Sequence, residues 1–427
     1  MSKTGIASLK GRQVWDSRGR PTVEAEVTLK GGAFGRAIAP AGASTGAGEA
    51  LDFRDGGDAF GGFGVTAAVA NVNGEIAQAL IGLDGADQEA VDRTLIELDG
   101  TGDKSRLGGN ACIAVSMALA HAAAAAHELP LWRYLLGDGE PILPLPEVQI
   151  FGGGAHASAR IDLQDIMIVP LGADSFAQAM AWTAEIYRAA GLNMAEHGRL
   201  AGVADEGGYW PNFETNEQAL AETVRAIERA GFRAGEQVAL SLDIAASQLY
   251  KDGSYRLSIE DRNFERESFH DLLLDWAARY PIVSIEDPLA EDDTEGMIAF
   301  TEAAGEHLQI IGDDYLVTDA ARIEAAARDG ACNAVLIKPN QAGTLSETKA
   351  ALDAGKRADF ATIVSARSGE SEDVTIVHLA LGWSAGQLKV GSFARSERMA
   401  KWNEALRIEE QCAGRSRFAG AAALAGR

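Results

Sequence analysis

The stretch Pro281-Ile282-Val283-Ser284-Ile285-Glu286-Asp287 decides the fold, because its continuous apolar run ends abruptly in two carboxylates. Continuous apolar strands that alternate with helices are typical of a parallel sheet buried on both faces. The same arrangement recurs through the second part of the chain, where each short apolar run leads to a charged side chain and then to a helical segment. The charged residues at these strand ends are Asp243, Glu286, Asp313, Lys338, Arg367 and Lys389.

Successive strand ends are 22 to 43 residues apart, and most of these spacings equal one strand plus one helix. The pairs Thr215 with Gln218 and Thr344 with Glu347 fit capping boxes at helix starts between the strands. In an eight-stranded α/β barrel, residues at the carboxyl ends of the strands converge on one mouth, where catalysis takes place. Each carboxylate could instead merely cap the next helix. Six charged ends in succession favour the mouth of a barrel.

The first forty residues have a different pattern. Segments 6–14, 22–29 and 35–39 are strand-like and are separated by turn sequences, which indicates a three-stranded antiparallel meander. A loop of small residues, 41–48, follows the meander. By composition this is a flexible surface loop, and the alternative interpretation is a mobile lid over a site.

Two domains are expected. A chain of 427 residues is long enough for two or three domains with a large core. Apolar residues recur at helical spacing from Val65 to about Leu136, and the proline-rich stretch 141–146 stops any helix there. We therefore predict an N-terminal α+β domain over residues 1–137 and an eight-stranded α/β barrel over residues 138–427.

Composition limits the classes of partner and compartment. The chain carries 62 acidic and 38 basic residues, a formal net charge of −24, so we expect neither nucleic acid nor a membrane as partner. The longest apolar run, 113–126, is too short to span a bilayer and is interpreted as a buried helix. Cys112, Cys332 and Cys412 are far apart in the sequence, and no secretory signal is visible, which favours a reducing, cytoplasmic location.

Three of the strand ends suit a hard cation. Asp243, Glu286 and Asp313 come from three successive strands, with no Cys or His nearby in the sequence. Oxygen ligands of this kind favour Mg²⁺ and disfavour zinc. An acidic protein that binds a small anionic substrate needs such local cations.

The remaining charged ends suit proton transfer and anion binding. Lys338 and Lys389 end two later strands, and an ordinary lysine is a poor base at neutral pH. A second ammonium and a nearby metal would favour the neutral form, so the pair fits proton abstraction, with a Schiff base or a phosphate clamp as alternatives. Arg367 and Ser368 offer donors to a phosphate group. Glu206, in an acidic glycine-rich turn, could act as a general acid.

These groups together match one type of chemistry, the abstraction of a proton α to a carboxylate. The dianionic intermediate of that reaction is costly unless concentrated positive charge meets it. His156 and the pair Gln164-Asp165 are further polar groups in small or apolar surroundings. A lone histidine is more often satisfied in a core than catalytic, so their interpretation depends on their reaching the same mouth.

From Ile6 to about Gly420 the sequence resembles enolase, the phosphopyruvate hydratase of glycolysis. The matching stretches are Asp16-Ser17-Arg18-Gly19, Gly42-Ala43-Ser44-Thr45-Gly46, Asp205-Glu206-Gly207-Gly208, Ser284-Ile285-Glu286-Asp287-Pro288, Gly312-Asp313-Asp314, Asn340-Gln341, Arg367-Ser368-Gly369-Glu370 and Arg395-Ser396-Glu397-Arg398. The resemblance implies an enolase-type barrel with a small N-terminal domain, conversion of 2-phosphoglycerate to phosphoenolpyruvate, and a homodimer or larger homo-oligomer. A base lysine or histidine with one or two Mg²⁺ ions is known from sites of this superfamily.

The resemblance also implies residue roles and two Mg²⁺ ions, the second arriving with the substrate. The implied metal ligands are Asp243, Glu286, Asp313 and, for the second ion, Ser44. Lys338 would remove the proton at C2, and Lys389 would bind the substrate carboxylate. Glu206, helped by Asp165, would assist departure of the C3 hydroxide. The implied substrate-binding residues are His156, Gln164, Asp165, Arg367, Ser368 and Lys389.

Several positions depart from the family pattern. Ala366 stands where enolases typically have a histidine, Ala155 replaces a serine, and Asp165 replaces a glutamate. The stretch Glu147-Val148-Gln149 also differs from its usual counterpart. An enolase-like enzyme acting on a related phosphorylated or phosphonylated hydroxy acid, as carboxyphosphonoenolpyruvate synthases do, is therefore an alternative. A non-catalytic protein with this fold is a third possibility, against which the intact lysines and carboxylates argue.

Overall fold

The computed structural model describes residues 3–426, so the first two residues of the stretch examined for a secretory signal lie outside the described residues. The N-terminal part begins with an antiparallel three-stranded meander in the order β1-β2-β3, which confirms the prediction. Its strands are β1 (Ile6–Trp15), β2 (Pro21–Leu29) and β3 (Phe34–Ile38).

Helices pack against this meander. They are α1 (Thr66–Asn71), α2 (Ala77–Leu80), α3 (Gln88–Asp99), α4 (Gly109–Ala126) and α5 (Leu131–Leu136), with a π-helical turn at Val72–Ile76. Helix α4 covers β2 and β3, and Gly35 permits the close approach, since a Cβ there would lie 2.1 Å from the carbonyl oxygen of Ala118. By length and composition α4 could cross a membrane, but most of it is buried inside the protein, as in many core helices.

The rest of the chain builds a closed eight-stranded barrel, which confirms the predicted α/β architecture. The remaining strands of the chain are β4 (Ile142–Leu143), β5 (Leu145–Gly152), β6 (Asp165–Val169), β7 (Ala239–Asp243), β8 (Tyr250–Lys251), β9 (Ser254–Leu257), β10 (Arg262–Phe264), β11 (Ile282–Glu286), β12 (Gln309–Gly312), β13 (Ala334–Ile337), β14 (Ala361–Ser365), β15 (Gln387–Ser392) and β16 (Arg417–Phe418). The barrel order is β11-β12-β13-β14-β15-β5-β6-β7.

Helices surround the barrel. They are α6 (Phe176–Glu196), α7 (Asn216–Arg229), α8 (Arg266–Arg279), α9 (Thr294–Ala304), α10 (Ala320–Asp329), α11 (Pro339–Ala342), α12 (Leu345–Arg357), α13 (Thr375–Gly382) and α14 (Ser396–Cys412). Thr215 and Thr344 cap α7 and α12, as the capping boxes predicted. Cys112, Cys332 and Cys412 are buried free thiols.

One strand, β6, departs from the parallel sheet. It runs antiparallel to both of its neighbours, β5 and β7, whereas the other seven strands are parallel. The connection from β5 to β6 spans only residues 153–164 and contains no α-helix that could return the chain to the opposite end of the barrel. A hairpin connection of this kind produces an antiparallel pair. The first residue of β6 therefore lies at the mouth of the barrel.

Two of the charged strand ends, Glu286 and Asp313, do not cap the helices that follow them. Asp293 caps α9 and Asp319 caps α10, each accepting a backbone N–H three residues further on. Glu286 and Asp313, which end or follow the preceding strands, are thereby left free of a capping role. The structure thus favours the mouth over the capping alternative for these two carboxylates.

Candidate active site

Most of the predicted site residues meet in one cavity at the mouth of the barrel. Those that line it are Ser44, His156, Gln164, Asp165, Glu206, Asp243, Lys338, Arg367, Ser368 and Lys389. The other two, Glu286 and Asp313, lie beside the cavity and accept hydrogen bonds from its lysines. Apart from Ser44, which is half-buried, all of these residues are buried.

The parallel barrel strands bring five of these twelve residues to the mouth. Asp243 and Glu286 are the last residues of the paired strands β7 and β11 and stand opposite each other in register. Asp313 and Lys338 directly follow β12 and β13, and Lys389 lies within β15. Because these strands are parallel, their carboxyl ends bring the five side chains to the same rim.

Four other site residues, Asp165, His156, Glu206 and Ser44, reach the mouth from elements other than the parallel strands. Asp165 begins the antiparallel strand β6, and His156 lies in a short turn, Gly154–Ala157, before it. Glu206 lies in the loop that connects α6 and α7. Ser44 belongs to the small-residue loop 41–48, whose position over the cavity fits the lid interpretation.

Both lysines form buried ion pairs. The Lys389 ammonium lies 3.0 Å from Asp243 Oδ2 and 2.7 Å from Glu286 Oε2, and Lys338 donates to Asp313. Burial alone would lower the pKa of each lysine, but these carboxylates outweigh it, so both pKa values lie above the usual range. A lysine here can be neutral, as the predicted base must be, only if additional positive charge offsets the carboxylates that pair with it.

The carboxylates fit a hard divalent cation. Burial and the neighbouring Asp243 raise the pKa of Glu286 well above its usual range, and Glu286 Oε1 is buried without a hydrogen-bond partner among the described residues. An all-oxygen donor set with an unpaired buried oxygen suits Mg²⁺. Two further groups have ligand atoms within 4.8 Å of one another. They are His156 with Asp165 and Glu206, and Asp287 with Asp313 and Asp314.

A histidine also lies between two carboxylates in this cavity, and one of them, Asp165, is 3.5 Å from the Lys389 ammonium. His156 Nδ1 is 3.0 Å from Asp165 Oδ1, and Nε2 is 3.8 Å from Glu206 Oε1. Burial alone would lower the pKa of His156, but the two carboxylates outweigh it and raise the pKa to about 9. His156 is therefore a cation at neutral pH, which gives the cavity a positive group next to the candidate acid.

Arg367 and Ser368, the residues predicted to bind phosphate, already form hydrogen bonds to other residues of the protein. Arg367 donates to Glu49 Oε2 at 2.9 Å and to the Ser44 carbonyl oxygen at 2.7 Å. The hydroxyl of Ser368 accepts a hydrogen bond from Arg18 at 3.2 Å. Glu49, which follows the loop 41–48, therefore pairs with the guanidinium group of Arg367, the group that the sequence analysis predicts to bind phosphate.

Sequence reasoning missed three side chains that organise this cavity. Glu49 holds Arg367, and Gln341 donates to Asp313 Oδ1 at 3.0 Å and to Glu49 Oε1 at 3.2 Å. Gln149 contacts Asp165 and the loop that carries Glu206. The available signals were the position of Glu49 after the glycine-rich loop, the matching stretch Asn340-Gln341, and the departure from the family pattern at Glu147-Val148-Gln149, but no role was assigned to Glu49, Gln341 or Gln149.

The residues that depart from the family pattern differ in whether they line the cavity. Ala366 and Asp165 line the cavity, whereas Ala155 is exposed and does not. A larger side chain at position 366 would therefore face the cavity. Of the three substitutions, those at positions 366 and 165 are placed to influence a bound substrate directly.

Comparison with known protein families gives two matches that together cover nearly the whole chain. Residues 6–135 match the family model described as "Enolase, N-terminal domain". Residues 140–426 match the one described as "Enolase, C-terminal TIM barrel domain".

Proposed function

The chain belongs to the enolase family, a family of lyase-type enzymes, and from this premise we propose that it is a Mg²⁺-dependent hydro-lyase that dehydrates 2-phosphoglycerate to phosphoenolpyruvate. The observation that carries the proposal is the meeting of two buried lysines, three carboxylates, an acid and an anion clamp at one mouth. A structural cluster would not need so many charged groups in one buried place.

The first step is removal of the proton at C2. Lys338 in its neutral form takes this proton, and the electron pair of the C–H bond passes into the enolate of the neighbouring carboxylate. Lys389 stays protonated and binds that carboxylate, where negative charge accumulates. Asp243, Glu286 and Asp313 would hold a divalent cation, which would supply positive charge to offset these carboxylates, favour neutral Lys338 and meet the negative charge that develops on the substrate.

The second step is loss of the hydroxyl group at C3. Glu206 donates a proton to the leaving oxygen, the C3–O bond breaks, and the enolate electrons form the C2–C3 double bond. His156 lies between Asp165 and Glu206, with its ring nitrogens 3.0 Å and 3.8 Å from their carboxylate oxygens, and so orients both groups at the leaving-group end. Arg367 and Ser368 hold the phosphate group once Glu49 has released the guanidinium.

A direct assay tests this proposal. Purified protein with Mg²⁺ and 2-phosphoglycerate should produce the ultraviolet absorbance of the enol product. Exchange of the C2 proton with solvent deuterium, followed by NMR, separates the first step from the second. A folded sample that binds Mg²⁺ but shows neither turnover nor exchange would overturn the proposal.

A second candidate is favoured by Ala366. An enolase-like enzyme for a related phosphorylated or phosphonylated hydroxy acid would keep the lysines and the metal ligands and change the wall of the cavity, which is where Ala366 lies. A panel of such acids on the wild type and on Ala366→His distinguishes the two functions. Activity on 2-phosphoglycerate that appears only in the variant would favour the second candidate.

A further inference from the structure

Gln149 lies in β5 and is fully buried beneath the rim of the cavity. Both ends of its side-chain amide are occupied. Its Nε2 donates to Asp165 Oδ1, the same oxygen that lies 3.0 Å from His156 Nδ1. Its Oε1 accepts the backbone N–H of Gly208 at 2.8 Å. A single side chain thus joins the pocket carboxylate to the loop that carries Glu206.

The protein leaves little room for another orientation of this amide. A Cβ on Gly208 would lie 2.4 Å from Gln149 Oε1, and one on Gly152 would lie 3.1 Å from both amide atoms. The two glycines therefore allow the amide to lie against backbone on two sides. An amide held in this manner has one orientation, with its donor directed to Asp165 and its acceptor directed to Gly208.

The position of Gly208 is coupled to that of Glu206. The Gly208 carbonyl accepts the N–H of Ala204 at 2.7 Å, which closes the turn around Glu206. The Glu206 carbonyl accepts the N–H of Ser392 at 2.9 Å, and the Gly207 carbonyl accepts the hydroxyl of Tyr187 at 2.8 Å. These contacts fasten the turn to the barrel, and the contact with Gln149 fixes it relative to Asp165.

We propose that Gln149 is a positioning residue that aligns the candidate acid Glu206 with the Asp165–His156 pair at the leaving-group end of the cavity. This inference rests on the proposed function, because it concerns the step in which Glu206 acts. Gln149 makes no hydrogen bond to Lys338 or Asp313, and its link to the lysines is indirect, through Asp165, whose Oδ2 lies 3.5 Å from the Lys389 ammonium. Its loss should therefore slow elimination and spare proton exchange at C2.

The test compares the two steps in Gln149→Met, which keeps the length of the side chain and removes both hydrogen bonds. With Mg²⁺ and 2-phosphoglycerate, elimination should fall about 10- to 100-fold, the cost of a small misplacement of a reacting group. C2 proton exchange should stay within about threefold of the wild type, because Lys338 is untouched. The Gly208 amide proton, followed by hydrogen exchange, should lose protection.

Two further variants keep the test decisive. Gln178→Met removes an amide that also accepts a backbone N–H, that of Asp174 at 2.7 Å, at the start of α6 and away from the cavity, so both rates should stay unchanged. Gln149→Glu keeps the acceptor for Gly208 but places a carboxylate against Asp165. It should slow elimination while the Gly208 amide stays protected, and it serves if Gln149→Met does not fold.

The possible outcomes separate the inference from the function on which it rests. A wild type without turnover or exchange would defeat the proposed function. An active wild type whose Gln149 variants lose both rates equally, together with thermal stability, would show a merely structural residue. Elimination unchanged in folded Gln149→Met would also overturn the inference.

Discussion

The mouth and the floor of the same barrel are both buried and both polar, yet they are built differently. We define the floor as the side chains of Ser284, Gln309 and Gln387 with the backbone of Ala423 and Ala425. Gln309 Nε2 donates to Ser284 Oγ at 2.9 Å and to Gln387 Oε1 at 3.0 Å. Gln387 Nε2 returns a bond to Gln309 Oε1 at 2.8 Å and donates to the Ala423 carbonyl at 2.9 Å. Every polar side-chain atom of the floor is satisfied by a neutral partner.

The mouth, in contrast, contains ionised side chains, and some of their buried oxygen atoms have no hydrogen-bond partner among the described residues. Glu286 Oε1 and Asp165 Oδ2 are two of these atoms. Buried groups there have displaced pKa values, since neighbouring charges outweigh burial and raise the pKa of Lys338 and Lys389 and lower that of Asp165. Burying an ionised group that keeps an unmade hydrogen bond costs stability, whereas a satisfied neutral network does not. The difference is the one expected if the floor supports the fold and the mouth is the site of the proposed chemistry.

This comparison predicts its largest effect at the candidate base. Lys338→Ala should reduce C2 proton exchange by about 10³-fold or more, because no other group takes the proton. Mg²⁺ binding, measured by calorimetry, should persist. Lys349→Ala is the control, since its partner Asp353 lies on an exposed helix surface. Retained exchange in Lys338→Ala would remove this residue as the base.

A smaller effect is expected at the candidate acid. Glu206→Gln should slow elimination about 10²-fold while C2 exchange continues, because the amide keeps the shape of the side chain but cannot donate the proton. Rapid-quench measurement of product beside NMR measurement of exchange checks this. Glu236→Gln, at an exposed ion pair with Arg233, should change neither rate. Loss of exchange with retained elimination would reassign the two roles.

A third prediction concerns the competition between Glu49 and an anion for Arg367. Glu49→Gln should tighten binding of inorganic phosphate about tenfold, since the buried guanidinium would lose its charged partner. Calorimetric titration measures this change. Glu291→Gln is a matched control, because Glu291 holds the N–H of Ala47 in the same loop without contact to Arg367. Equal changes in both variants would assign the effect to the loop and not to the clamp.

The smallest effect on activity is expected at the floor. Gln387→Leu should lower the free energy of unfolding by about 1–3 kcal/mol, because it leaves Gln309 and the Ala423 carbonyl with unmade hydrogen bonds. Turnover should stay within about twofold of wild type, since the hydrogen bonds of the mouth are unchanged. Chemical denaturation and the enol assay measure the two quantities. A large loss of turnover without loss of stability would contradict the division between mouth and floor.

Much of the fold could be predicted because local pattern decides it. Strands β7 and β11 to β15 have apolar runs that end at a charge, and the structure confirms them to within a few residues. Strands β5 and β6 were not predicted as barrel strands. The region before β5 is rich in proline, and β5 itself carries buried Glu147 and Gln149, so its apolar pattern is interrupted. Gln149 is bonded to Asp165 of β6 and to Gly208 of the α6–α7 loop, and Glu147 Oε2 accepts the hydroxyl of Ser241 in β7. These partners are far away in the sequence.

Much of the candidate site was also accessible from sequence, but for two different reasons. The charged strand ends follow from the geometry of a parallel barrel, in which strand direction alone brings them to one rim. Glu206, His156 and Asp165 reach the cavity through a helix-connecting loop, a turn and an antiparallel strand. Their residue types made them candidates, but only the resemblance to enolase implied that they belong to the same site. Glu49 pairs with Arg367 and Gln149 pairs with Gly208, and the two residues of each pair are far apart in the sequence. A local sequence pattern cannot predict contacts of this kind.

The sequence by itself determined which residues could carry charge at the mouth and that a two-part enolase-type chain would bring them together, because strand period, helix caps and motif order are local properties. Only the tertiary structure decided how those charges are paired. It placed Lys389 between Asp243 and Glu286, Lys338 on Asp313 and Glu49 on Arg367. Electrostatic pairing in a buried cavity depends on distances and on the exclusion of water, and both arise only when separate parts of the chain pack against one another.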